Sequence, residues 1–200
     1  LGELVRTRGT LDDIAAARVW SGIAGALDAA HEQGVLHRDV KPGNIVFDGD
    51  GQAHLIDFGI ARRTGDATLT ATGFVLGTPD FLPPEVAVGQ ATFDARADIY
   101  SLGCVAYYMV TGELVFAKDT AIAMALAHVN EIPTPPRERS ELAIPPALDA
   151  LILQCLAKNP VERPPSAAEL ANHLATTVPP DAWTADDAHS WWQLHWGSTI

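Results

Sequence analysis

Residues 97–111 are the strongest determinant of the fold, because they read as a helix that is apolar on nearly every side. A helix without a polar face belongs in the interior of a globular protein. Gly112 supplies the stop, since glycine readily adopts the left-handed backbone that ends a helix. A chain of 200 residues, 48% of them hydrophobic, can bury such a helix in one core.

Further helices are predicted on either side of that central one. A capping-box pattern, TLDD at residues 10–13, announces the first of them, with the Thr10 side chain as the cap and Gly34 as the stop. The last opens with a second capping box at Ser166. The predicted helices cover residues 10–34, 120–130, 146–157 and 166–176.

One small β-ribbon interrupts the helical pattern. Asn44–Phe47 and Ala53–Ile56 read as short strands, joined by the turn DGDG at residues 48–51. This acidic turn lacks the ligand order of an EF-hand, because Gln52 stands where a ligand is needed and no Glu closes the loop. The predicted fold is therefore mainly α with a small β-ribbon.

The net charge, the cysteines and the length of the apolar segments limit the classes of function that are compatible with this sequence. The net charge is −12 and the pI about 4.8, which argues against a nucleic-acid partner and against anionic lipid. Cys104 and Cys155 lie in apolar helical segments and are predicted to be buried free thiols. The longest apolar segments, 102–110 and 121–129, are too short to span a bilayer. We expect a cytoplasmic protein.

The segment 37–44, HRDVKPGN, carries the residue types that phosphoryl transfer needs. That reaction requires an acceptor for the hydroxyl proton, cations to offset charge, and ligands for Mg²⁺. Asp39 can accept the proton, Lys41 can offset charge, and Asn44 can offer an oxygen to the metal. The alternative is an ordinary polar loop before a strand, which does not require Lys41 and Asn44.

Three further motifs follow in order. Asp57-Phe58-Gly59 comes directly after the second strand, residues 77–85 read GTPDFLPPE, and residues 159–164 read NPVERP. Each alone is weak, and the first is compatible with an ordinary turn. In this order behind segment 37–44, they resemble the C-terminal lobe of a Hanks-type, bacterial serine/threonine protein kinase.

The resemblance implies a kinase C-terminal lobe over residues 1–176 and a tail over residues 177–200. The tail contains Pro179-Pro180, a predicted short helix from Thr184, and four tryptophans that could pack on the lobe or form a partner site. These tryptophans are Trp183, Trp191, Trp192 and Trp196.

The elements of the smaller kinase lobe do not occur in this sequence. It has no Gly-rich phosphate loop with its strand Lys and helix Glu, and it opens on Leu1 without an initiator Met. We therefore expect the N-terminal lobe to be absent from the chain. The chain alone is then expected to bind ATP poorly and to be inactive, because half of the cleft is missing.

By this resemblance, the reaction moves the ATP γ-phosphoryl group to Ser or Thr hydroxyls of protein substrates, with Mg²⁺. The resemblance makes Asp39, Lys41 and Thr78 the catalytic group, with Thr78 hydrogen-bonding the other two. Asn44 and Asp57 are the implied metal ligands. The implied nucleotide-binding residues are Glu3, Lys41, Asn44, Val46 and Asp57.

Two structural features also follow from the resemblance. Glu85 is expected to form a buried ion pair with Arg163. Asp98, at the start of the central helix, is expected to accept hydrogen bonds from backbone N–H groups of the catalytic loop. The other reading of Asp98 is a helix cap.

Regulation is expected in the loop after Asp57-Phe58-Gly59. In kinases with Arg before the catalytic Asp, that Arg is a cation beside this loop, so Arg38 can receive a phosphothreonine. Thr70 and Thr72 are the candidates, phosphorylated by a second kinase molecule. The alternative is that these threonines only fill a polar loop.

Two other functions remain open at this stage. A pseudokinase or scaffold would use the lobe only to dock partners, although retention of Asp39, Asn44 and Asp57 argues against it. A small-molecule kinase could share the catalytic loop, but segment 77–85 and its partner Arg163 favour protein substrates.

Overall fold

The structure, a computed structural model, describes residues 1–58 and 79–177, together with residues 186, 187, 189, 190 and 193 of the tail. The helices of this part are α1 (Gly2–Arg8), α2 (Asp13–Glu32), α3 (Pro84–Ala87), α4 (Arg96–Thr111), α5 (Ala121–Asn130), α6 (Pro146–Cys155) and α7 (Ala167–Thr177). The strands β1 (Ile45–Phe47) and β2 (Ala53–Leu55) form an antiparallel pair in which Ile45 lies opposite Leu55. The predicted mainly α fold with one small β-ribbon is confirmed.

Helix α4 runs through the core, as its apolar sequence predicts. It packs against α2 on one side and α6 on another, and Tyr100 and Tyr107 are fully buried. Gly103 lets α4 and α6 approach closely, because a Cβ there would lie 2.7 Å from the Cβ of Cys155. Gly112 then ends α4 in the left-handed conformation, with φ 72°.

Helix α2 connects the core to the ribbon. It packs against α7, α4 and β2, and buries one face of small and apolar residues that includes Trp20, Ile23 and Leu27. The ribbon therefore lies on a rigid helical base, and the loop that precedes β1 starts from the end of α2. Both Cys104 and Cys155 are buried free thiols, as predicted.

Two details of the helical prediction are wrong. The cap of α2 is Asp12, whose carboxylate accepts a hydrogen bond from the Ala15 N–H at 2.8 Å, and the helix begins at Asp13 rather than at the Thr10 pattern. A carboxylate is the better acceptor beside the positive end of a helix. Residues Gly2–Arg8, for which no helix is expected from the sequence, form α1.

The structure leaves the tail and the loop before Pro79 largely undescribed. The described tail residues 186, 187, 189, 190 and 193, which lie in the predicted tail helix from Thr184, are helical. The four tail tryptophans and residues 59–78 lie outside the described residues. The domain boundary at 176/177 stays a prediction. Among the residues described, no helix has the length and apolarity needed to cross a membrane.

Candidate active site

One buried carboxylate holds the loop that joins α2 to β1. Asp98, in the first turn of α4, accepts hydrogen bonds from the backbone N–H groups of His37 and Arg38, both at 2.8 Å. The same carboxylate contacts the His31 Nε2 at 2.8 Å. Asp98 therefore links three elements, and the helix cap is Ala95 instead.

Arg38 adopts a backbone conformation that non-glycine residues rarely take, with φ 65°. The contact between its N–H and Asp98 holds it there, since such a conformation persists only where neighbouring contacts fix it. Its guanidinium lies 5.8 Å from the centre of the Phe93 ring, in the segment between α3 and α4.

Three side chains of segment 37–44 form a compact cluster. Lys41 Nζ lies 2.8 Å from the Asp39 Oδ2, and the Asn44 Nδ2 donates to the Asp39 backbone oxygen at 2.8 Å and to its Oδ2 at 3.2 Å. Side-chain exposure is 27% for Lys41 and 23% for Asp39, so solvent and a substrate can reach both. The cluster combines a fixed carboxylate with a cation.

His37 connects this cluster to the ribbon, a role that sequence reasoning missed. Its Nε2 lies 3.0 Å from the Ile56 oxygen, which can only accept, so Nε2 carries the proton. The Asp39 N–H then donates to the unprotonated Nδ1 at 3.2 Å. The His37 ring also contacts Phe58, with ring centres 4.7 Å apart. One buried imidazole therefore ties Asp39 to the segment that carries Asp57.

The ribbon brings the two predicted metal ligands to one end. The Ile56 N–H donates to the Asn44 backbone oxygen at 2.9 Å, which continues the pairing of β1 with β2. Asn44 therefore lies beside the residue that precedes Asp57. Asp57 is exposed and has φ 58°. The structure therefore brings Asn44 near the Asp57 backbone.

The side-chain oxygens of Asn44 and Asp57 are ligands of the kind that Mg²⁺ binds. The Asn44 amide nitrogen is committed to Asp39, which leaves its carbonyl oxygen as the group to offer a cation. Mg²⁺ prefers oxygen and typically takes one or two protein carboxylates, with water and phosphate completing its shell. Over the described ranges no group of three or more His, Cys, Asp or Glu could hold a metal, and a site of this shared type does not need one.

Two of the five predicted nucleotide-binding residues, Glu3 and Val46, lie on exposed surface. Glu3 projects from the first turn of α1, which packs against Pro42, and Val46 on β1 is 39% exposed. Val46 is paired with His54 across the ribbon. Both side chains are accessible to a ligand.

The expected ion pair between Glu85 and Arg163 is present and buried. Arg163 Nη1 and Nη2 donate to the two carboxylate oxygens at 2.7 and 2.8 Å, a bidentate arrangement. The guanidinium also donates to the backbone oxygens of Arg96, Ala157 and Lys158. The pair therefore joins α3 to the start of α4 and to the segment before α7.

The part of the predicted docking segment that the structure describes begins at Pro79–Phe81, a single 3-10 turn. Two side chains hold it: the Ser101 hydroxyl donates to the Phe81 oxygen at 2.8 Å, and the His128 Nε2 lies 3.1 Å from the Asp80 oxygen. Thr78, Thr70 and Thr72 lie outside the described residues, so their roles stay predictions.

His128 makes the fold sensitive to acid. Burial, with a smaller contribution from the charge of Lys158, lowers the pKa of His128 from 6.5 to about 4. The unfolded chain binds a proton near pH 6.5 and the folded chain only near pH 4, so stability falls as pH drops through this window. We expect a loss of about 2 kcal/mol from this group between pH 7.5 and 5.

The measurement is urea unfolding at both pH values, with His128→Gln as the control. The amide has no proton to gain, so the loss of stability on acidification should be smaller in this variant by about the same amount. Equal losses in both proteins would contradict the assignment.

Comparison with known proteins agrees with this geometry. The family model described as the protein kinase domain matches residues 1–174. The chain therefore belongs to the protein kinase family, and the resemblance predicted from its motifs is confirmed.

Its relatives are bacterial serine/threonine-protein kinases. The chain is 42% identical over 186 residues to "Serine/threonine-protein kinase PknB" of Mycobacterium leprae, covering 91% of this chain and 30% of the relative. It is 43% identical over 176 residues to the PknB of Mycolicibacterium smegmatis, covering 87% and 28%. A probable serine/threonine-protein kinase of Corynebacterium efficiens is 43% identical over 179 residues, covering 87% and 27%. The chain thus spans less than a third of each relative's length.

Proposed function

We propose that the protein carrying this chain is an ATP-dependent serine/threonine kinase that phosphorylates other proteins. The observation that carries the proposal is the cluster in which Lys41 and Asn44 both contact the Asp39 carboxylate. Family membership and the printed names of the relatives support the same reaction class. No observation favours a scaffold that has lost catalysis.

Asp39 is proposed to orient the substrate hydroxyl and accept its proton, while the hydroxyl oxygen bonds to the γ-phosphorus and the bond to the β–γ bridging oxygen breaks. Lys41 offsets the negative charge on the transferred group. Asn44 donates to both the backbone and the carboxylate of Asp39, so it fixes the side chain that must meet the hydroxyl.

Asn44 and Asp57 are proposed to hold Mg²⁺. When bound, the ion would supply positive charge that offsets the negative charge of the ATP phosphates. Glu3 and Val46 are proposed to contact the ribose and the adenine, and Thr78 to hydrogen-bond Asp39 and Lys41. Support for the first two is their exposure on α1 and on the ribbon.

The test uses the full-length gene product with γ-labelled ATP, Mg²⁺ and a library of Ser/Thr peptides. We expect label on phosphoserine and phosphothreonine, identified by mass spectrometry, with Asp39→Asn as the inactive control. Transfer only to a small-molecule acceptor, or no transfer at all, would overturn the proposal.

We also propose that the kinase acts in the cytoplasm. One observation supports this location: Cys104 and Cys155 are free buried thiols, as is usual in a reducing compartment.

Phosphorylation of Thr70 or Thr72 by a second kinase molecule is proposed to control activity. The proposal is supported by the fixed position of Arg38, whose backbone is held by Asp98. A phosphothreonine carries about −1.5 to −2 charges, and can pair with a guanidinium to order a loop. We expect recombinant full-length protein to carry phosphate on Thr70 or Thr72.

Replacing both threonines with Ala is expected to lower activity about as much as Arg38→Ala does, since each change removes one half of the same pair. Thr176→Ala, at an exposed position of α7, is the control and should leave activity unchanged. Active enzyme whose loop carries no phosphate in mass spectrometry would refute this regulation.

A further inference from the structure

His128, at the end of α5, is fully buried and contacts two other elements. Its Nδ1 lies 2.9 Å from the Tyr100 hydroxyl on α4, and its Nε2 lies 3.1 Å from the Asp80 oxygen. Asp80 belongs to the turn Pro79–Phe81, which directly follows Thr78 in the predicted docking segment. The imidazole therefore joins the core helix to the backbone of that segment.

The hydrogen-bond directions in this arrangement are determined by its chemistry. A backbone oxygen can only accept, so the His128 Nε2 must carry a proton to contact Asp80. A neutral imidazole then has an unprotonated Nδ1, which accepts from the Tyr100 hydroxyl. The Asp80 oxygen thus requires the Nε2–H tautomer, and the Tyr100 hydroxyl satisfies its Nδ1.

The surroundings of His128 keep the ring neutral and immobile. The Phe116 ring packs edge-on against it, with centres 5.1 Å apart. Lys158 donates to the His128 backbone oxygen at 2.7 Å, and its ammonium lies 4.6 Å from the centre of the Phe116 ring. Burial, and to a smaller extent the positive charge of Lys158, lowers the pKa of His128. A second positive charge in this space is disfavoured.

Two consecutive backbone oxygens of the docking segment are held in this way. Ser101, one residue after Tyr100 on α4, donates to Phe81, and His128 donates to Asp80. A 3-10 turn of three residues has little stability of its own. Its position therefore depends on these contacts from α4 and α5.

We propose that His128 is a positioning residue for protein substrates: by holding the Asp80 carbonyl, it fixes the docking segment against which a substrate peptide lies. The inference rests on the proposed kinase function, because it assigns residues 79–85 to substrate docking. His128 is not expected to affect ATP affinity, because the contacts of this side chain are with α4, the turn and Lys158.

The kinetic test compares His128→Ala and His128→Gln in the full-length gene product. Loss of the Asp80 contact in the Ala variant should raise KM for a peptide substrate about tenfold, the equivalent of one buried hydrogen bond. KM for ATP should stay within about twofold. Gln can still donate to Asp80, so it should restore most of the peptide KM. His173→Ala, on α7, is the matched control and should change neither constant.

A second measurement does not depend on activity. In an Asp39→Asn background, hydrogen exchange of amides 79–88 should be about tenfold faster with His128→Ala than with His128→Gln. If the wild-type enzyme transfers no phosphate, the proposed kinase function fails while this exchange result still decides whether His128 holds the segment.

Equal exchange rates in His128→Ala and His128→Gln would overturn the inference. Faster exchange in His128→Ala with an unchanged peptide KM would also overturn it, because His128 would then have only a structural role. Should His128→Ala not fold, Tyr100→Phe replaces it. That change removes only the hydroxyl that donates to the His128 Nδ1, so the ring is held less firmly, and it should raise the peptide KM by a smaller factor. An unchanged KM in Tyr100→Phe would count against the proposal in the same way.

Discussion

Replacing Asp39 with Asn is expected to lower phosphoryl transfer by roughly 10²- to 10⁴-fold in the full-length protein, the usual contribution of a general base. The amide can still accept from Lys41 through its oxygen, so the cluster keeps its shape while losing a proton acceptor. ATP affinity should stay within a few fold. Transfer of labelled ATP to a peptide gives the rate, and titration with a fluorescent nucleotide gives the affinity.

Asp57→Asn is the matched comparison, because it removes a carboxylate at the other end of the same site. Its proposed role is to hold Mg²⁺, so it should weaken Mg²⁺-ATP binding as well as turnover, and higher Mg²⁺ should recover part of the loss. An Asp39→Asn enzyme with wild-type turnover, or an effect confined to nucleotide affinity, would remove Asp39 from the catalytic role.

The largest loss of stability is expected from Glu85→Gln. The change leaves the Arg163 guanidinium buried without its carboxylate partner, and breaking a buried pair in this way costs about 3–5 kcal/mol. Three backbone oxygens still contact Arg163, but they cannot neutralise its charge. Urea unfolding followed by circular dichroism measures the change.

The control for this prediction is Glu131→Gln, which breaks the exposed pair between Lys118 and Glu131. An exposed pair contributes only about 0–1 kcal/mol. The double variant Glu85→Met/Arg163→Leu should be less destabilised than Glu85→Gln, since it buries no charge. A loss in Glu85→Gln no larger than in the exposed control would show that the pair is not energetically buried.

Local features of the sequence predicted most of the fold. The apolar segment of α4, its stop at Gly112 and the turn between the strands are all encoded within a few neighbouring residues, so they could be read directly. Helix α1 was missed because Gly2–Arg8 offers little apolar periodicity, and its position depends on contacts with the loop around Pro42. The cap at Asp12 was missed because Thr10 offered an equally plausible pattern.

The same distinction between local and long-range contacts holds for the residues of the candidate site. Asp39, Lys41, Asn44 and Asp57 could be proposed from the sequence because their spacing resembles a family pattern. His37, His31 and His128 could not be assigned their contacts, since each meets a partner that is distant in sequence: His128 meets Asp80 from 48 positions away. A single histidine in an apolar helix carries no sign of which backbone oxygen it will hold.

The left-handed backbone at Arg38 and Asp57 has a consequence for protein engineering. Among the described residues, these two are the non-glycine positions with positive φ, and each costs about 1–3 kcal/mol of strain. Glycine would relieve that strain at either position. A library screened only for heat resistance would therefore be drawn toward glycine at both sites, losing the guanidinium proposed for control and a carboxylate proposed for the metal. Selection for thermal tolerance in this chain should be paired with selection for turnover.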